Sequence, residues 1–296
     1  MATVFNHTTI TCADVSTSTE GKNMNAIPEK LYGIIGHPLG HTMSPALHNS
    51  GFSMFSLPSV YMAFPTPPEK LADFMTAFRT LPLYGASVTI PHKETVMEYV
   101  DRITPRATLV GAVNTLYWDN GVLVGDNTDV LGFMAPLIDS PATYSRALVL
   151  GAGGAAKAVL AGLKELGVHN VTICNRTAHR AASLAVQFDV DCVDWDARGI
   201  VEADLVINTT PMGMAGDHVD KTTFAEEMFT GKGTAYDLVY NPLETVFLRT
   251  AKAAGWETID GLHMFAAQGA EQFRLWTGEN IPHDHIRNLV TDMLNL

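Results

Sequence analysis

Two sets of residues in this chain have types and spacings that could do chemistry. The first is Leu148-Val149-Leu150-Gly151-Ala152-Gly153-Gly154-Ala155-Ala156, which reads as strand, glycine turn, helix. Gly151, Gly153 and Ala156 fit G-x-G-x-x-A. The first glycine permits a tight turn, the second lets backbone approach a pyrophosphate, and the small third residue allows close helix–strand packing. The unpaired N–H groups and positive dipole end of the helix then face the phosphates. At the end of the next strand stand Asn175, Arg176 and Thr177, with Arg180 one helical turn beyond Arg176. An unphosphorylated ribose is usually met there by Asp or Glu. Arg176 and Arg180, at i and i+4 on one helix face, suit a 2′-phosphate instead. Thr177 can cap the helix and donate a hydroxyl. NADP is expected over NAD; the bland alternative is a solvated helix start carrying two surface arginines.

The second set is four polar clusters that interrupt apolar stretches at strand ends. They are Gly40-His41-Thr42-Met43-Ser44-Pro45, Ser87-Val88-Thr89-Ile90-Pro91-His92-Lys93, Gly111-Ala112-Val113-Asn114-Thr115 and Gly125-Asp126-Asn127-Thr128-Asp129. Together they offer hydroxyls, an amide, one lysine and one carboxylate, which suits a small polyhydroxylated acid. In an open parallel sheet such loops converge outside the carboxyl ends of the strands. His92 reads as structural. The other histidines are scattered without an H-x-x-x-H pair, and His283 and His285 read as solvated, so no metal is expected.

The elements that must hold these residues alternate between two periods. Leu31–Gly36, Ser59–Phe64 and Gly85–Thr89 read as strands, with a helix opening at Ser44-Pro45 (Ser44 as its cap) and another over Glu69–Leu81. Residues 115–125 read as a hairpin turning at Asp119-Asn120-Gly121. Asp129 could cap a helix over 130–138. A second series has strands at Arg146–Leu150, Val171–Cys174, Leu205–Asn208 and Thr234–Val239, with helices at Gly153–Gly167, Thr177–Gln187 and Leu243–Ala254. Strands alternating with helices of this length imply parallel sheets covered on both faces. After Asp260-Gly261 the pattern is helical to the end. The expected fold is α/β in two domains. A substrate domain takes 29–128 and the returning helices of 262–296, and a Rossmann-type doubly wound domain takes 129–261.

Composition narrows the class. At 296 residues, with 47% hydrophobic and 17% charged residues, the chain can bury a large core and is not intrinsically disordered. The net charge of −12 disfavours nucleic acid or an anionic membrane as partner. Cys12, Cys174 and Cys192 are scattered without C-x-x-C spacing, which suits a reducing cytoplasm rather than a disulfide framework. Residues 1–28 read as a flexible tail without a secretory or transit pattern, and Met24 is a candidate alternative start.

Taken with the nucleotide fingerprint, the clusters resemble the shikimate dehydrogenase family. Seven motifs match in order from about Leu31 to the C-terminus: G-H-P-L-x-H-x-x-S-P, V-T-I-P-x-K, G-A-V-N-T, G-x-N-T-D, G-A-G-G-A, N-R-T and M-x-x-x-Q-x-A-x-x-F. The family reduces 3-dehydroshikimate to shikimate with NADPH in aromatic amino acid biosynthesis, and some members oxidise quinate. Carried over by position, the resemblance implies that Thr42 and Ser44 bind the substrate carboxylate. Thr89, Asn114 and Gln268 would bond ring hydroxyls, and Tyr240 would approach from the cofactor side. Lys93 and Asp129 would be the catalytic pair, with Asp129 also touching substrate. Asn208, Thr209 and Met212 would line the nicotinamide side, and Gly261 is counted with the cofactor residues. The sequence departs from the family where Thr42 stands for a common serine, Ser87 for a frequent asparagine and His263 for a frequent glycine.

Reducing a ring ketone requires a hydride to carbon and a proton to oxygen. On this reading the nicotinamide supplies the hydride, Lys93 the proton, and Asp129 orients Lys93. The two domains would close over the cleft with hinges near 128–146 and 258–265. The expected partner is a small cyclohexane or cyclohexene carboxylic acid, with a homodimer left open. Quinate or aminoshikimate dehydrogenation with the same machinery is the rival within the class. A non-catalytic NADP-binding sensor is the rival outside it, and the presence of both Lys93 and Asp129 argues against it. Asp129 as a plain cap, and Gln268 as a plain helix-surface amide, stay open at this point.

Overall fold

In the computed structural model, which describes residues 27–40 and 42–294, the chain builds two six-stranded sheets. The tail over 1–26 and the candidate start at Met24 lie outside the described residues. The first part runs β1 (Lys30–Gly36), α1 (Ser44–Met54), β2 (Ser59–Pro65), α2 (Leu71–Thr80), β3 (Leu83–Val88), β4 (Arg102–Ile103), α3 (Pro105–Val110), β5 (Thr115–Asp119), β6 (Val122–Asp126) and α4 (Asp129–Ile138). The second runs β7 (Arg146–Leu150), α5 (Gly154–Glu165), β8 (Asn170–Cys174), α6 (Ala178–Phe188), β9 (Asp191–Cys192), β10 (Leu205–Asn208), β11 (Thr234–Asp237), α7 (Val246–Ala253) and β12 (Glu257–Ile259). Helices α8 (Gly261–Thr277) and α9 (His283–Leu294) close the chain.

The second sheet has the order β12-β11-β10-β7-β8-β9, parallel throughout. Counted from β7, that is the 3-2-1-4-5-6 order of a dinucleotide-binding fold, with its topological switch point between β7 and β10. The alternating pattern therefore produced the expected doubly wound sheet. The first sheet, ordered β2-β1-β3-β5-β6-β4, pairs β1 in parallel with β2 and β3 as the alternating pattern predicts, and the expected hairpin makes the rest of it mixed. β3 pairs antiparallel with β5, and β5 with β6. The physical reason is the hairpin, whose Asn120-Gly121 turn takes positive φ at both residues (51° and 82°), as a tight two-residue connection demands. It adds two strands without a crossover.

Both faces of each sheet are covered. Buried residues of β1, β2, α1, α8 and α9 form one core, and α2 packs with β3 and the hairpin on the opposite face. Helix α4 shares a core with α5 and α6 against β7, β8, β10 and β11, and its Phe133 stacks on Tyr236 of β11 at 5.4 Å between ring centroids. Full burial of Phe133 contributes about 1.5–3 kcal/mol. Helices α4 and α8 are in close contact at Gly132. A Cβ there would stand 2.7 Å from the Met264 carbonyl oxygen, so only glycine fits.

Some boundaries differ for local reasons. Met43, not Ser44, occupies the cap position of α1, and Ser44 is the first helical residue. Thr128 precedes α4, and Asp129 lies in its first turn with its carboxylate directed elsewhere, so the capping alternative for Asp129 fails. Thr177 sits at the cap position of α6, but its side chain makes no capping bond. By contrast Asp260 does cap α8, accepting from the Leu262 N–H at 3.0 Å.

Candidate active site

The carboxyl ends of β1 and β3 open into a cavity of about 650 Å³. Its wall includes Thr42, Ser44, Thr89, Lys93, Asn114, Asp129, Tyr240 and Gln268, the whole set expected to touch substrate. Lys93 and Asp129 are the charged side chains among the described residues lining it. Lys93 Nζ lies 2.7 Å from Asp129 Oδ2, with the side chains 28% and 16% exposed: reachable from the cavity, yet largely shielded from water. The V-T-I-P-x-K segment leaves the end of β3 to bring in Lys93, and the first turn of α4 brings in Asp129.

Asn114 sets the position of that pair. Its Nδ2 donates to Asp129 Oδ1 at 2.8 Å and to Thr128 Oγ1 at 3.1 Å. Its Oδ1 accepts from the Thr128 N–H and the Thr115 hydroxyl. The buried amide is thus saturated by the protein, and one of its bonds fixes the carboxylate facing Lys93. Thr42 donates its hydroxyl to Ser44 Oγ at 3.3 Å, which gathers two hydroxyls at one rim. Tyr240 packs on Phe265 with centroids 5.0 Å apart, and burial raises its phenol above the usual range. The Gln268 amide donates to the Phe265 carbonyl oxygen at 3.0 Å while lining the cavity.

The floor holds Ser87, which stands for the family's frequent asparagine, and Gln272, which sequence reasoning did not assign to the site. Tyr61 donates to Ser87 Oγ, and Ser87 donates to Gln272 Oε1, both at 2.7 Å. Gln272 Nε2 then reaches the Asn114 carbonyl oxygen and Thr115 Oγ1. The signal available was spacing, since Gln272 lies four residues beyond Gln268 on one face of α8.

A second cavity, of about 490 Å³, opens at the carboxyl ends of β7, β8 and β10. Gly151, Ala152, Gly153, Asn175, Arg176, Arg180, Thr209 and Met212 line it as expected, joined by Trp195, Arg198 and Lys221. Gly151 has φ 113°, and a Cβ on it would meet Thr209 Oγ1 at 2.5 Å, so β7 and β10 meet here only through glycine. A Cβ on Gly153 would project into open space, leaving backbone free to be approached. Cations without a carboxylate line this cavity among the described residues. Both features fit a phosphorylated dinucleotide.

Five expected cofactor residues do not line this cavity. Gly154 and Ala155 form the first turn of α5, and Thr177 is exposed at the start of α6. Asn208 is fully buried and turned inward, donating to the Met212 carbonyl oxygen and to Asp237 Oδ1, so it shapes the 208–213 loop from below. Gly261 lines the first cavity rather than the second. It packs so tightly on the 238–239 backbone that a Cβ would collide with the Leu238 carbonyl oxygen.

Comparison with known proteins decides the family. Family models match for the shikimate dehydrogenase substrate binding domain over residues 34–116, shikimate/quinate 5-dehydrogenase over 137–219 and the shikimate 5′-dehydrogenase C-terminal domain over 261–291. A shikimate dehydrogenase (NADP(+)) from Oleidesulfovibrio alaskensis is 56% identical over 270 residues, covering 90% of this chain and 97% of that protein. The chain belongs to the shikimate dehydrogenase family. Among solved structures of the family, shikimate 5-dehydrogenase from Thermus thermophilus, in complex with NADP(H) and shikimate, superposes with TM-score 0.81 at 37% identity, covering 89% of this chain and 99% of that one. Quinate dehydrogenase from Corynebacterium glutamicum, in complex with NAD, gives TM-score 0.84 at 32% identity, with 89% and 99% covered.

One buried acid ties the two cavities together. Asp237, at the end of β11, accepts from Asn208 Nδ2 (2.8 Å), the Val239 N–H (3.0 Å) and Thr245 Oγ1 (2.6 Å). Burial pushes its carboxyl up to about 6, although these bonds favour the charged form. With the folded value above the unfolded one, the stability tied to the protonated acid is complete below about pH 4 and is lost as pH rises through about 6. Asp237→Asn cannot ionise. Its unfolding free energy should therefore gain on the parent's by more than about 1 kcal/mol between about pH 4 and pH 7. Urea denaturation at both pH values measures this, and a constant difference between the two proteins would rule it out.

Proposed function

We propose that this chain is an NADP-dependent shikimate dehydrogenase that reversibly reduces 3-dehydroshikimate to shikimate. The observation that carries the reading is the Lys93–Asp129 pair, held at 2.7 Å in a hydroxyl-lined cavity beside a cation-lined nucleotide cavity. The relatives named for NADP(+) and shikimate support it. NADPH, when bound across the glycine turn, supplies the hydride. Lys93 Nζ gives a proton to the developing alkoxide and takes it back in the reverse direction. Asp129 is the positioning partner of Lys93, and Asn114 fixes Asp129. Thr42 and Ser44 receive the substrate carboxylate, and Thr89 and Gln268 the ring hydroxyls. Tyr240 closes the cavity from the 238–240 segment. Arg176 and Arg180 receive the 2′-phosphate. The units 29–128 with 262–296, and 129–261, close over the substrate and exclude water. A cytoplasmic setting completes the reading.

The deciding assay is NADP⁺ reduction with shikimate, quinate and their relatives in parallel. Shikimate should exceed quinate in kcat/KM by at least about tenfold. Quinate carries an extra hydroxyl beside the carboxylate, where the Thr42 methyl narrows the space. A hydroxyl buried without a partner costs about 1–3 kcal/mol, and about 1.4 kcal/mol suffices for tenfold. Ser87 offers that hydroxyl no relief, because its Oγ is already engaged by Tyr61 and Gln272. Equal or better turnover of quinate would overturn the substrate assignment in favour of quinate dehydrogenation.

A further inference from the structure

Three arginines line the nucleotide cavity, Arg176, Arg180 and Arg198, and none is ion-paired among the described residues. The first two lie in the N-R-T-x-x-R run, whereas the third comes from a different part of the chain. We propose that Arg198, seated on Trp195, is a further specificity-determining cation that reads the adenosine 2′-phosphate of NADP. The inference rests on the cofactor reading above and adds a residue to it.

Strand register places it there. β8 and β9 run parallel with Thr172 opposite Asp191 and Ile173 opposite Cys192, and the Val193 N–H continues the ladder to the Ile173 carbonyl oxygen at 3.1 Å. Carrying that register forward sets Trp195 level with Arg176, at the strand end where a dinucleotide fold discriminates the ribose 2′ substituent. The Trp195–Ile200 turn then swings Arg198 back over the indole, with the guanidinium carbon 4.2 Å from the ring centroid.

The guanidinium is held before any ligand arrives. Nε donates to the Thr223 carbonyl oxygen at 2.7 Å and Nη1 to the Trp195 carbonyl oxygen at 2.6 Å. Nη2 has no hydrogen-bond partner among the described residues. Neutral carbonyls fix the fork without neutralising it, so its charge stays available to an anion. A planar cation fixed in this way loses little rotamer freedom on binding phosphate. Three unneutralised arginines around one cavity repel each other, and a phosphate dianion relieves that repulsion.

The test compares 2′,5′-ADP with 5′-AMP, which differ only by the 2′-phosphate, by titration calorimetry on the full-length enzyme. The variants are Arg198→Gln, which keeps a donor for one carbonyl, and Arg198→Lys, which keeps the charge without the fork. Arg198→Gln should reduce the preference for 2′,5′-ADP by at least about tenfold, the scale of a lost charge-assisted bond, with 5′-AMP affinity changed less than about threefold. Arg198→Lys should fall between the variant and the parent. Parallel loss of both ligands would show a merely structural role for the turn, and an untouched preference would show no contact; either overturns the proposal while leaving the NADP reading intact. A parent enzyme that does not prefer 2′,5′-ADP at all would instead overturn the NADP reading itself.

Discussion

Replacing Lys93 with alanine should lower kcat by at least about 10²-fold, the scale of lost general acid–base catalysis, with little change in KM. The expectation follows from where Lys93 stands. It and Asp129 are the charged side chains among the described residues of the substrate cavity, and its Nζ is held at 2.7 Å by a carboxylate whose other oxygen is fixed by Asn114. Truncation removes the proton donor in the transition state and leaves the hydroxyl and amide contacts assigned to ground-state binding in place. Such a loss appears in kcat and in kcat/KM together. Steady-state oxidation of shikimate with NADP⁺ measures it. A kcat within a few-fold of the parent would show that Lys93 does not handle the proton.

Arg176→Ala should weaken NADP⁺ binding by roughly 1.5–3 kcal/mol, as for a lost charge-assisted bond, and weaken NAD⁺ far less. Arg176 lines the nucleotide cavity at the end of β8, exposed and without an ion pair among the described residues. Its charge is therefore not committed elsewhere, and removing it strands no carboxylate. Fluorescence titration with NADPH and NADH separates the two losses. Equal weakening of both would show that Arg176 does not read the 2′-phosphate.

Much of this was legible in the chain itself. The β7–turn–α5 unit was visible because a buried parallel strand is a short apolar run and glycine alone tolerates the turn at Gly151. The hairpin was visible because Asn120-Gly121 tolerates two consecutive positive φ angles. These are local properties, fixed by backbone sterics within a few residues. The residues around Lys93 were legible only as separate clusters, since no local rule says which strand ends lie side by side.

What the sequence determined by itself was the set of elements, the two α/β sheets and the chemical types available at their ends. Which of those residues act together was decided by tertiary structure. Asp129 stands in the first turn of α4, where local rules also allow a cap, and the Asn114 amide from the other side of the hairpin turns it toward Lys93. Asn208 reads as a cofactor contact but is drawn inward, because Asp237 at the end of the neighbouring strand is the acceptor its buried amide needs. Gly261 went to the substrate cavity because α8 must begin against the 238–239 backbone. Arg198 has no local mark at all, and only the register of β9 on β8 brings it beside Arg176. In each case the deciding partner is far away in sequence, and a buried polar group takes whatever partner the packing of strands and helices brings within hydrogen-bond reach.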